Sequence, residues 1–186
     1  MSKLTISFLF LFLWISKDLN AQDPVYSQFT AVPLHLNPAF TGLSPTTKIG
    51  FIYRYEWPVW PDAYRSFSVN FEQPFPDLNS GIGISMTSDE SGGGIFRMQQ
   101  GMITYSYEVY LNRESRMRLG LEAGWIQHGI RWNKLVFGNQ IDPLTGPFSS
   151  GGEDLPDETA KTALDIGAGV LYSSPKFYAG LSIKHL

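Results

Sequence analysis

The sequence predicts an all-β chain: an antiparallel transmembrane β-barrel of the outer membrane, in its N-terminal half only, with about seven strands. Three observations carry this. Seven stretches alternate residue by residue between apolar and small or polar side chains. The second face consists mostly of Gly, Ser, Thr, Asn, Glu and Arg, a poor basis for a dry core but suited to a barrel lumen. The connections alternate between short and long, as periplasmic turns and external loops do.

Residues 1–21 read as a secretory signal peptide. Lys3 supplies the positive start, Leu4–Ile15 is a mostly apolar run, and Ala21 precedes a plausible cleavage point at Gln22. The run falls short of the roughly 20 residues that a transmembrane helix needs. With the signal removed, twelve basic and sixteen acidic residues remain. That balance offers no basic patch for nucleic acid. The chain has no cysteine, which excludes disulfides, thiol catalysis and thiolate metal sites.

Residues 22–47 lack strand periodicity and contain Pro24, Pro33 and Pro38. This segment is expected to fold into the periplasmic mouth as a plug, with Asn37 bonding to lumen backbone and Pro38 fixing a turn. The barrel domain then occupies 48–186. Its strands are predicted at 48–56, 64–73, 81–88, 96–110, 117–127, 163–173 and 176–185. In the first, Ile49, Phe51, Tyr53 and Tyr55 oppose Lys48, Gly50, Ile52 and Arg54; the later strands repeat this pattern. Runs near ten residues match a tilted strand crossing a bilayer.

The short connections are predicted at 74–80, 111–116 and 174–175, and the long ones at 57–63, 89–95 and 128–162. A chain entering from the periplasm would run its first strand outward, which puts the long set outside the cell. Tyr53, Tyr55, Trp57, Tyr105, Tyr107, Tyr110, Trp125 and Tyr172 fall toward strand ends, as aromatic girdles do. Seven is an odd count for a bacterial barrel, and the seventh strand runs to Leu186. The expectation is a barrel truncated in this sequence, with closure by a second chain as the other route.

Charged residues predicted to face the lumen are Arg54, Glu72, Glu108, Arg118, Glu122, Asp165 and Lys184. A cationic side chain at the lipid midplane costs roughly 2–4 kcal/mol, so these groups should turn inward and pair across strands. The last long loop carries Trp132, Leu135, Val136 and Phe137, apolar groups that would suit a partner-docking surface or a lid on the barrel mouth. His35, His128 and His185 lack metal-site spacing. The carboxylates Glu153, Asp154, Asp157 and Glu158 do not have the spacing of a calcium loop and read as a solvated loop. Nucleophile-elbow and phosphate-loop motifs are missing. The chain is therefore read as non-enzymatic, with no catalytic residue, no cofactor and no metal.

The mature start reads Asp23-Pro24-Val25-Tyr26-Ser27-Gln28-Phe29, followed by Leu36-Asn37-Pro38-Ala39-Phe40-Thr41-Gly42. This resembles the PorP/SprF family of the type IX secretion system of Bacteroidetes, whose members begin with similar paired motifs. The positions carrying the match are Asp23, Pro24, Tyr26, Ser27, Gln28, Leu36, Asn37, Pro38, Ala39 and Gly42. Further similarity runs through 135–143 and 177–186. The resemblance implies an outer-membrane barrel of about twice this strand number. It also implies a role in export or surface attachment of cargo proteins with C-terminal sorting domains, and in display of gliding adhesins. Its partners would be outer-membrane lipids, other secretion or gliding components and exported adhesin-like cargo, with no small-molecule substrate. Two other readings fit the pattern: a channel for small hydrophobic substrates of the fatty-acid-transporter type, and a secreted soluble β-domain that binds glycans.

Overall fold

The computed structural model describes residues 31–60, 62–135, 137 and 159–186. The signal segment, the motif residues Asp23 to Gln28, Val136 and the acidic loop lie outside the described residues. Among the described residues seven antiparallel strands form one sheet, each pairing with its neighbours in sequence, and the sheet curls into a half-barrel. They are β1 (Lys48–Glu56), β2 (Tyr64–Phe75), β3 (Ser80–Ser91), β4 (Phe96–Tyr110), β5 (Arg116–Ile130), β6 (Thr159–Ser173) and β7 (Tyr178–Ile183). The all-β antiparallel half-barrel predicted from the alternation holds.

β1 and β4 begin and end where the alternation places them. β2, β3, β5 and β6 run further than predicted, and β7 is shorter. Pro74 falls inside β2 at no cost to the ladder. The pairing with β1 stops at Lys48 and Glu72, so the missing N–H would have met no partner. The connection predicted as long at 89–95 is a tight turn over 92–95. Gly92, Gly93 and Gly94 there all have positive φ, at 59°, 63° and 83°. Glycine alone tolerates such a run, which lets β3 and β4 continue almost to the bend. The opposite end of the sheet is closed by short turns. Asn79 adopts the left-handed conformation after the 3-10 turn Pro76–Leu78. The Asn112 carboxamide oxygen accepts from the Glu114 and Ser115 amides at 2.9 and 2.7 Å.

The two faces are inverted relative to a water-soluble sheet. On the convex face Phe51 is 70% exposed and Leu164 86%. On the concave face Ser66, Ser68 and Ser106 are fully buried, with Glu72 and Glu122 almost as deep. Apolar convex rows on β4 and β5 extend from Val109 and Met117 to Gly101 and Trp125. At about 3.3 Å per residue that is roughly 26 Å along the strand, or on the order of 20–25 Å along a barrel axis after tilt and side-chain reach.

Above this band the convex row turns polar: Ser88, Gln99, Gln127 and Thr162 stand side by side in register. The next row holds Arg65, Glu90 and Arg97, with Glu90 and Arg97 paired at 2.7 Å. On β1 and β2 the limits sit higher. Tyr53 and Phe67 keep the upper row apolar, while Gln73 is already polar at the level of Ile82 and Tyr105. An apolar band that climbs across the register is what tilted strands require.

Candidate functional site

Residues 31–43 cross the concave face near the end closed by the short turns. This strap contains two 3-10 turns, Pro33–His35 and Pro38–Phe40, each with proline at its start. Proline suits that position because its fixed φ matches the turn and the first N–H has no partner to lose. Asn37 caps the second turn, its side-chain oxygen accepting from the Ala39 amide at 2.8 Å. The Asn37 amide nitrogen donates outward to the Val170 and Leu181 carbonyls at 3.1 and 3.0 Å, one on β6 and one on β7.

The strap bonds to β2, β4, β5, β6 and β7. Ser182 donates to the Leu36 carbonyl at 2.7 Å. Thr41 donates its hydroxyl to Thr104 at 2.9 Å, and the Gly42 amide donates to Glu72 at 3.0 Å. The Thr41 carbonyl takes two donors, Ser106 Oγ at 2.6 Å and Arg118 Nη1 at 2.8 Å. His35 Nε2 lies 3.0 Å from Ser68 Oγ. Val32, Leu34, Ala39 and Thr41 are buried, whereas Leu36 and Leu43 stay exposed.

Glycines on the wall make this approach possible. A Cβ on Gly120 would overlap the peptide joining Pro38 and Ala39, and one on Gly169 would overlap the Asn37 carboxamide. Gly42, at φ 63°, faces Gly81 so closely that a Cβ on either would come within 2.8 Å of the other's Cα. Bare backbone at Gly81, Gly120 and Gly169 thus forms a trough in which the strap lies.

The charged residues singled out from the sequence fall into three groups. At the strap, Glu108 and Arg118 are register partners on β4 and β5 and pair at 2.9 Å, with Glu72 beyond Gly42. Further along the axis, Glu122 meets Lys184 at 3.0 Å by reaching over Gly167. Beside that pair, Asp165 takes Gln100 at 3.1 Å and His185 at 3.0 Å. Arg54 stands apart on β1, bonded to Glu56 and stacked 5.8 Å over Tyr64. Glu72, Glu108 and Arg118 are largely dry, and Glu72 Oε1 and Arg118 Nε are buried without a hydrogen-bond partner, a cost the Glu108–Arg118 pairing must offset.

Sequence reasoning missed several members. Asp89 is buried and bonded to Ser66; the alternation ends the third strand at Ser88 and leaves Asp89 in a connection. Thr104 and Ser106 carry strap bonds but look like ordinary lumen residues in the sequence, and Thr41 lies in the Leu36–Gly42 motif with no local sign of its partners. Trp132 donates to Thr159 at 3.0 Å from the 3-10 turn Trp132–Lys134. Trp132, Leu135 and Phe137 are half-buried. Among the described residues no three metal-binding side chains come together.

The arrangement can bind and brace, with apolar side chains exposed on its convex face and polar ones buried on its concave face. A family model described as type IX secretion system membrane protein PorP/SprF matches residues 18–186. No curated protein and no solved structure matches the chain. The matched span takes in the strap and all seven strands, and the chain therefore belongs to the PorP/SprF family of type IX secretion system membrane proteins.

Proposed function

We propose that these strands form part of an outer-membrane barrel of the type IX secretion machinery, delivered by a signal peptide cleaved before Gln22. The barrel takes part in exporting cargo proteins with C-terminal sorting domains or attaching them to the surface, gliding adhesins included. One observation carries the membrane placement: the apolar face is outside and the buried face polar, over a height suited to a bilayer. Family membership supports the secretion role. The buried charges brace the inner wall. The segment 131–158, with Trp132, Leu135, Val136 and Phe137, is the external docking surface for secretion partners or cargo. Catalysis has no part in this reading: Ser182 is engaged with the strap and His185 with Asp165.

Deleting the gene in the source cells and surface-labelling intact bacteria tests the proposal. A subset of proteins with C-terminal sorting domains should vanish from the surface and accumulate inside. An unchanged surface profile would remove the secretion role. Release of the protein by carbonate washing would remove the barrel.

A further inference from the structure

We infer that the strap is a stopper held in cis, which keeps the turn-side mouth of the barrel shut until it is lifted from its trough. The inference rests on the outer-membrane barrel reading. It reaches further, since family membership says nothing about passage through the lumen.

The strap lies across the inner wall instead of along a strand. Its contacts run from Ser182 and Leu181 on β7, past Val170, Arg118 and Thr104, to Glu72 on β2. A segment bonded at both flanks of a curled sheet obstructs the space the curl encloses. Its two faces differ in chemistry. Asn37, Ala39, Thr41 and Gly42 are packed against the wall, while Leu36 and Leu43 stay exposed. Apolar side chains in an otherwise polar lumen exclude water and ions from the gap that the backbone leaves. The seat is shape-specific, because Gly120 and Gly169 leave room only for a bare peptide and one carboxamide.

The hold is polar and partly made through Asn37 and Thr41, so it can be released without tearing a strand pairing. Asn37 binds carbonyls on β6 and β7, and Thr41 binds side chains on β4 and β5. Displacement of either residue by a competing polar ligand or by movement of β7 would free half the strap. The lumen would then open toward the end closed by the short turns.

Full-length protein from outer membranes, reconstituted in planar bilayers, provides the test. Wild type should insert, show the heat-modifiable mobility of a folded barrel, and pass no steady current. Gly120→Val keeps a good strand former in β5 but places a side chain inside the Pro38–Ala39 peptide. It should be heat-modifiable and give discrete conductance steps. Steady steps from folded wild type, or silence from folded Gly120→Val, would overturn the stopper. A wild type with no heat-modifiable form would instead overturn the barrel reading, and the stopper with it. Should Gly120→Val not fold, a cross-link decides. The Thr41 and Thr104 oxygens are 2.9 Å apart in a chain without cysteine. Thr41→Cys with Thr104→Cys should therefore form a disulfide in isolated outer membranes. Two cysteines that each react with maleimide but never cross-link would overturn the seated strap.

Discussion

Arg118 Nη1 donates to the Thr41 carbonyl at 2.8 Å while Nη2 of the same guanidinium lies 2.9 Å from Glu108. One side chain thus fixes the strap and neutralises a buried carboxylate. The planar fork of arginine allows both at once; lysine offers a single point of charge. Arg118→Ala would leave Glu108 buried beside a more distant partner, Arg116 at 3.5 Å. The expected loss is about 3–5 kcal/mol, read by urea unfolding in phospholipid vesicles. Removing Glu108 as well should restore part of it.

Charge on the convex face should be costly within the apolar band and cheap beyond it. Leu121 lies in an apolar row and is 62% exposed, whereas Gln127 belongs to the polar row bonded to Thr162. Leu121→Arg should cost about 2–4 kcal/mol and Gln127→Arg about 0–1 kcal/mol. Equal effects in the same vesicle assay would mean that the band does not face lipid.

Asn37 makes three hydrogen bonds with one carboxamide, two outward and one to its own turn. At roughly 1 kcal/mol each, Asn37→Ala should lower stability by about 2–3 kcal/mol. Limited proteolysis should then cut within 31–43 while the strands stay protected.

The absence of cysteine makes labelling clean. Glu90→Cys, in the ion-paired row above the band, should react with an impermeant maleimide on intact cells. Asn112→Cys, in the turn between β4 and β5, should react only after the outer membrane is opened. The reverse result would invert the orientation.

Much of this architecture was legible because a two-residue period shows directly in the sequence. Ile49, Phe51, Tyr53 and Tyr55 declare their face, and β1 and β4 end as read. The polar extensions were harder. Residues 89–91 are all polar and 128–130 offer only Ile130, since those rows lie beyond the band, and such strand ends look like loop. The strap contacts left no local signal. Gly120 and Gly169 read as lumen-facing glycines, and only the folded chain shows that the Pro38–Ala39 peptide and Asn37 occupy the space above them.

The meander has a consequence for the order of events in folding. Every strand pairs with its neighbour in sequence, so the wall can grow hairpin by hairpin, with little loop entropy to overcome except across 131–158 between β5 and β6. The strap cannot join in that way. Its Asn37 acceptors lie 133 and 144 residues downstream, on β6 and β7. Their paired geometry exists only after those two strands have met. Seating of the strap is therefore the late, long-range step, and it reports that β7 has arrived in the correct register.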